Sequence, residues 1–77
     1  MSDYAYDTIV EMRLSRHAKN KMRLYRLSQE DILAVFEVGD RIRRENGWES
    51  RAGNLRVIWV DTGPYAFVIT VIRTDKP

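Results

Sequence analysis

The sequence predicts an α+β domain in which a short N-terminal strand and a two-helix hairpin precede a four-stranded antiparallel sheet. Three observations carry that expectation. Apolar residues recur at helical spacing before Gly39 and at a period of two after it. Ser15 and Ser28 stand where two helices would begin. Asn46-Gly47, Ala52-Gly53-Asn54 and Asp61-Thr62-Gly63-Pro64 then punctuate the second half as turns.

In residues 9–14, Val10, Met12 and Leu14 alternate with Glu11 and Arg13, the period of a half-buried strand. Ser15 is placed to cap a helix over residues 15–25, whose stripe of Leu14, Ala18, Met22 and Tyr25 leaves Arg16, Lys19 and Arg23 on the opposite side. The next helix starts at Ser28, where Asp31 completes a short capping box and Leu27 and Ile32 are spaced as a hydrophobic staple. Ile32, Leu33, Val35 and Phe36 supply its buried side. Glu30 and Asp31 suit the positive end of its dipole, and Gly39 is positioned for a left-handed C-cap. Only Arg26 and Leu27 are left between the helices, so the two form a tight hairpin.

Asn46-Gly47 predicts a type I′ turn, with both central residues at positive φ, joining strands 40–45 and 48–52. Strands 55–60 and 65–73 follow. Leu55, Val57 and Trp59 oppose Ile58 and Val60, and Phe67, Ile69 and Val71 oppose Val68 and Ile72, the pattern of central strands covered on both sides. The charged run Asp40-Arg41-Ile42-Arg43-Arg44-Glu45 reads as an edge strand that resists pairing with other chains. With no internal repeat, linker or low-complexity tract, residues 1–77 read as one domain with an ordered core over about 9–74.

A chain of 77 residues supports one modest core, since at this length only about 60% of the unfolded surface is buried. Its 44% hydrophobic and 31% charged residues exclude the disordered and fibrous classes. The absence of cysteine excludes disulfides and zinc-thiolate sites and fits a reducing cytoplasm. The N-terminus MSDYAYDTIVEMR has no long apolar run, so a soluble cytoplasmic protein with no membrane partner is expected. The net charge of +2 is small, but residues 13–26 hold Arg13, Arg16, Lys19, Lys21, Arg23 and Arg26 with no acid, while Glu30, Asp31, Glu37 and Asp40 gather further on. Such a run is either a solvated helix face or a surface for a polyanion.

The segments His17-Ala18-Lys19-Asn20-Lys21-Met22, Leu27-Ser28-Gln29-Glu30-Asp31-Ile32, Gly39-Asp40 and Val68-Ile69-Thr70-Val71-Ile72 resemble a bacterial family, the domain of unknown function 4258, over about residues 13–74. That family is similar in fold to the RelE, ParE and BrnT toxins. Its usual pattern has an arginine four residues after the histidine and another four further on, where this chain has Lys21 and Tyr25. Lysine keeps the charge without the bidentate fork, and Tyr25 removes the charge altogether. The resemblance implies a RelE-like fold and a toxin-type role: metal-independent cleavage of RNA, action on gyrase, or a non-catalytic binding module. It implies RNA or the ribosome, and a small antitoxin protein, as partners.

Metal-free RNA cleavage needs a base near the 2′-hydroxyl, an acid at the leaving oxygen and cations on the phosphate. His17 is the only histidine, and histidine is the side-chain type that exchanges protons near neutrality. It shares a helix flank with Lys21 and Leu24, so His17, Lys21 and Arg73 form the candidate catalytic set. Arg16, Arg23, Arg41, Arg43, Arg51 and Arg56 form the candidate RNA-binding set, with Arg41 and Arg43 on one face of the edge strand and Arg51, Arg56 and Arg73 placed to converge with them. Each has a plainer account. His17 can serve first-turn amides or a helix-to-strand bond, and Lys21 can lay its stem over apolar surface. The sheet arginines can pair with Glu45, Glu49 and Asp61 at exposed positions. Trp48 and Tyr65, able to stack on bases, can simply be core, and Thr70 can be a buried hydroxyl bonded to backbone. There is no phosphate-binding glycine loop, no metal-spaced cluster of His and carboxylates and no Cys or Ser nucleophile motif, so neither metal nor cofactor is expected.

Overall fold

The computed structural model describes residues 11–75. Its elements run β1 (Met12–Leu14), α1 (Arg16–Tyr25), α2 (Gln29–Val38), β2 (Asp40–Arg44), β3 (Gly47–Ala52), β4 (Leu55–Asp61) and β5 (Ala66–Arg73). The first two residues expected in β1, Val10 included, lie outside the described residues. The strands form one sheet in the order β1-β5-β4-β3-β2. β2 to β5 make the expected antiparallel meander, and β1 joins it in parallel to β5, from Met12 opposite Ala66 to Leu14 opposite Val68. The charged strand β2 is an edge, as its composition predicts.

Ser15 caps α1, accepting from the Ala18 N–H at 3.0 Å, and it also ties the helix to the sheet. Its hydroxyl donates to the Ile69 carbonyl at 2.7 Å and its N–H to the Val68 carbonyl at 3.0 Å. α1 ends with Arg26 in the left-handed conformation (φ 60°, ψ 47°), while the Leu27 N–H reaches back to the Met22 carbonyl at 2.8 Å, a Schellman closure with arginine where glycine is usual. α2 starts with the expected capping box: the Asp31 N–H donates to the Ser28 hydroxyl and the Ser28 N–H to the Asp31 carboxylate.

Two glycines do different work from that expected. Gly39 is extended (φ −83°, ψ 165°) and not left-handed; a Cβ there would press on the carbonyl oxygens of Arg51 and Val35. The β2–β3 hairpin forms, but Arg44 pairs with Gly47, so its turn is Glu45-Asn46. Neither Asn46 nor Gly47 has a positive φ, so the type I′ expectation fails. Gly47 is drawn into β3, where a Cβ would lie 2.6 Å from the Trp59 carbonyl oxygen. The later turns do use left-handed glycines, Gly53 (φ 58°) and Gly63 (φ 103°).

The helices share one face of the sheet, α1 against β5 and β1, α2 against β3 and β4. Between the layers lie Ala18, Met22, Ile32, Val35, Phe36, Val57, Trp59, Val68 and Val71. Burial of each large aliphatic side chain here stabilises the fold by about 1.5–3 kcal/mol. Phe36 meets Trp59 edge-on at 5.3 Å, and the Trp59 indole N–H donates to the buried Ser50 hydroxyl at 2.9 Å.

A β-bulge overturns part of the strand reading. Ile58 pairs with Thr70 but Trp59 pairs with Val68, which leaves Ile69 as the extra residue. Val68 and Val71 therefore both enter the core, and Val71 does not share a face with Phe67 and Ile69 as strict alternation predicts. Among the described residues the second face of the sheet carries no helix, so there β4 and β5 are covered on one side only and Ile69 and Ile72 are 41% and 40% exposed. Thr70 lies half-buried on this open face, not in the core, and no buried side-chain polar atom among the described residues lacks a partner.

Candidate nucleic-acid interface

Burying Ala18, Met22 and Tyr25 fixes where the bases of α1 go. Arg16, Lys19, Arg23 and Arg26 are exposed, and none of them forms an ion pair with an acid among the described residues. Lys19 and Arg23 stand at the rim of an open groove of about 290 Å³, whose other walls are Leu14, Met22, Leu27 and Gln29. Arg23 is steadied by Asn20, to which it donates at 3.1 Å. Among the described residues the groove thus has cations above an apolar floor and no carboxylate.

On the other flank, His17 is exposed and makes no hydrogen bond among the described residues; the capping role is Ser15's. Lys21 is half-buried, its Nζ 5.0 Å from the Tyr25 ring centroid. Arg73 donates to the Tyr25 carbonyl at 3.4 Å and to the Asp75 carboxylate at 2.9 Å, a cation at the negative end of the helix. Lys21 and Arg73 therefore both come to Tyr25. His17 lies further back: residues 17 and 25 are about 12 Å apart along a helix axis. His17, Lys21 and the Arg73 contact at the Tyr25 carbonyl thus follow one another in a row along α1.

The expected convergence of sheet arginines does not occur, because the register puts them on opposite faces. Arg41 and Arg43 share the helix side of β2, with their guanidinium groups 5.4 Å from Trp59 and 5.1 Å from Trp48. Trp48 is half-buried and stacks on Trp59 at 6.0 Å, and half-buried Tyr65 lies under Arg13 at 4.4 Å, so both aromatic faces already have neighbours. Arg51 and Arg56 stand opposite each other on the helix-free face.

There, with Arg44, they surround Glu49. Its carboxylate is buried, at 2% exposure, instead of lying at the exposed position expected of it. Arg44 Nη1 donates to Oε1 at 2.7 Å, Arg51 Nε donates to Oε2, and Arg56 Nε is 4.0 Å from Oε2. The hydrogen bond from Arg51 holds the Glu49 pKa below the ordinary carboxylate value; desolvation opposes this, and the charges of Arg51, Arg44 and Arg56 reinforce it. The cover over Glu49 is a layer of arginine side chains, not core. Glu45 and Asp61 form no ion pair among the described residues, and Asp61 instead accepts the Gly63 N–H at 2.9 Å. The sequence signal for this cluster was parity: Glu49 and Arg51 alternate on one strand, and fixing the hairpin register adds Arg44 and Arg56. No group of three or more His, Asp or Glu side chains among the described residues is placed to hold a metal.

A chain of the toxin-antitoxin complex RelBE2 of Mycobacterium tuberculosis is similar in structure, with a TM-score of 0.54 and 21% identity, over 84% of this chain and 98% of that one. The α+β architecture is accordingly RelE-like. No curated protein matches the sequence. The family model described as "Domain of unknown function (DUF4258)" matches residues 14–73, from the end of β1 through the last residue of β5, and this chain belongs to that family.

Proposed function

We propose that this chain is a toxin-antitoxin-type protein that targets RNA, free or in the ribosome, and that it binds RNA without cleaving it efficiently. The observation that carries the reading is the acid-free basic groove of α1. Cations held at a groove rim neutralise backbone phosphates and release counterions, which makes such binding strong at low salt. The RelE-like fold supports a toxin-type origin, and a small acidic antitoxin segment would meet the same cations.

The row along α1 argues against efficient cleavage. Stabilising a phosphorane requires preorganised donors around the reacting phosphate. One helical turn from His17 stands Lys21, whose ammonium lies on Tyr25, while Arg73 is engaged by Asp75 and by the helix end. Arg51 and Arg56 lie on the other face of the sheet. The competing endoribonuclease reading rests on the solvent-open imidazole of His17, one helical turn from Lys21.

Incubating the chain with single-stranded RNA in EDTA decides between them. A retarded complex with no product above background is expected. Product that falls by about 10²–10⁴ in a folded His17→Ala variant would make the domain a catalytic toxin. Absence of any complex at low salt would remove RNA as the target.

A further inference from the structure

The cluster around Glu49 brings three guanidinium groups together on one face of the sheet. Arg51 and Arg56 are direct cross-strand partners, and like charges placed opposite each other destabilise a sheet. Glu49 sits two residues from Arg51 on the same face and draws in Arg44 as well. Glu49 set against three guanidinium groups, with Asp40 the cross-strand partner of Arg51 on β2, leaves one positive charge in excess. Among the described residues most of their donors also remain unused: each guanidinium has five N–H groups, and only one each from Arg44 and Arg51 reaches Glu49 within hydrogen-bond distance. Arg56, at 4.0 Å, is the loosest member. All three side chains keep substantial exposure, 54%, 42% and 43% for Arg44, Arg51 and Arg56, so the unused donors face solvent.

Beside the cluster lies a depression of about 280 Å³, with Arg44 and Glu45 at its rim and Asn46, Gly47, Ile58 and Ile69 among its walls. Gly47 lines it where β3 begins, and the bulge leaves Ile69 standing out of the ladder beside it. The Arg44 guanidinium beside an apolar floor suits a phosphate joined to a base.

We infer that Arg44, Arg51 and Arg56 form a binding site for a phosphate group of a nucleotide or nucleotide chain, and that Glu49 is its intramolecular competitor, holding the three guanidinium groups in place until a phosphate displaces it. In the free protein the carboxylate preorganises the arginines, which lowers the conformational cost of binding. It also screens them, so the affinity of the wild-type chain is held down. For an RNA ligand the inference rests on the proposed function, but it concerns the opposite face from the α1 groove, and the two fail separately.

The experiment compares wild type, Glu49→Gln and Glu49→Gln/Arg56→Ala for binding of a labelled single-stranded oligoribonucleotide, with inorganic phosphate as a second probe. Glu49→Gln is expected to bind the oligonucleotide about tenfold more tightly, since a charge-assisted competitor has gone. Its salt slope should steepen by about 0.7, the increment for one more neutralised phosphate on a single strand. Arg56→Ala should cancel the gain. In the wild type, the Nε–H resonances of Arg44 and Arg56 should shift on adding the oligonucleotide, a readout that stands even if Glu49→Gln fails to fold. Shifts with inorganic phosphate as well assign the contact to the phosphate alone; shifts with the oligonucleotide only assign it to the nucleotide with its base. An unchanged affinity in a folded Glu49→Gln variant, a gain that survives Arg56→Ala, or resonances indifferent to both probes would overturn the inference. If charge removal on α1 abolishes wild-type binding while the Glu49→Gln gain persists, the two sites are independent.

Discussion

At position 49 a carboxylate is withdrawn from water by the same three guanidinium groups that neutralise it, so its protonation is tied to folding. The folded pKa lies below the unfolded value, near 4.5 for this residue type, because Arg51 donates to the charged form. The stabilisation is therefore fully present above the unfolded pKa and is lost as pH falls through the folded one. Chemical denaturation from neutrality downward should show wild-type stability declining once the pH passes below 4.5. Glu49→Gln should show less of that decline; equal acid sensitivity in the two proteins would mean that the cluster does not titrate with folding. This cluster was only half legible in the sequence. The alternation of Glu49 and Arg51 was visible, but which arginines join them depended on the register of β2 and β4, which a one-residue shift in the hairpin turn decides. His17, Lys21 and Arg73 were legible as residue types, and their spacing on α1 was legible too. What could not be read was that Asp75 and the end of α1 engage Arg73.

Among the elements, the helices were the most legible, because caps are local chemistry. Ser15, Ser28 and Asp31 do what their positions predict. The left-handed residue was misplaced by sequence reasoning: glycine at position 39 suggested it, whereas the short α1–α2 connection forces it on Arg26. A non-glycine residue in that conformation costs about 1–2 kcal/mol. Arg26→Gly is therefore expected to raise stability by about 1 kcal/mol in urea unfolding, after some loss to glycine's unfolded-state entropy. Gly39→Ala and Gly47→Ala should instead destabilise, since each added methyl meets backbone carbonyls that cannot move without breaking strand pairing. If Arg26→Gly weakens the fold, or Gly47→Ala leaves it unchanged, the assignment of these roles is wrong. The bulge in β5 was not legible, because continuous apolar residues from Phe67 to Val71 carry no mark of where alternation breaks.

Over the whole molecule, a five-stranded sheet with helices on one side leaves two chemically distinct surfaces. The α1 side presents cations above an apolar groove, and the helix-free side presents the Glu49 cluster beside exposed isoleucines. The order of elements was readable from changes in period, while a second face open among the described residues was not, since two-sided apolar patterning does not say which element covers each side. Fold alone fixes no activity, so the central claim, that the α1 groove binds RNA, stands on charge placement. It is tested most directly by the salt dependence of single-stranded RNA binding, measured for the wild type and for Lys19→Ala/Arg23→Ala. Removing two phosphate-neutralising cations should weaken binding and reduce the slope of log affinity against log salt by about 1.4. A slope that stays the same in the double variant, or wild-type affinity indifferent to salt, would contradict the account.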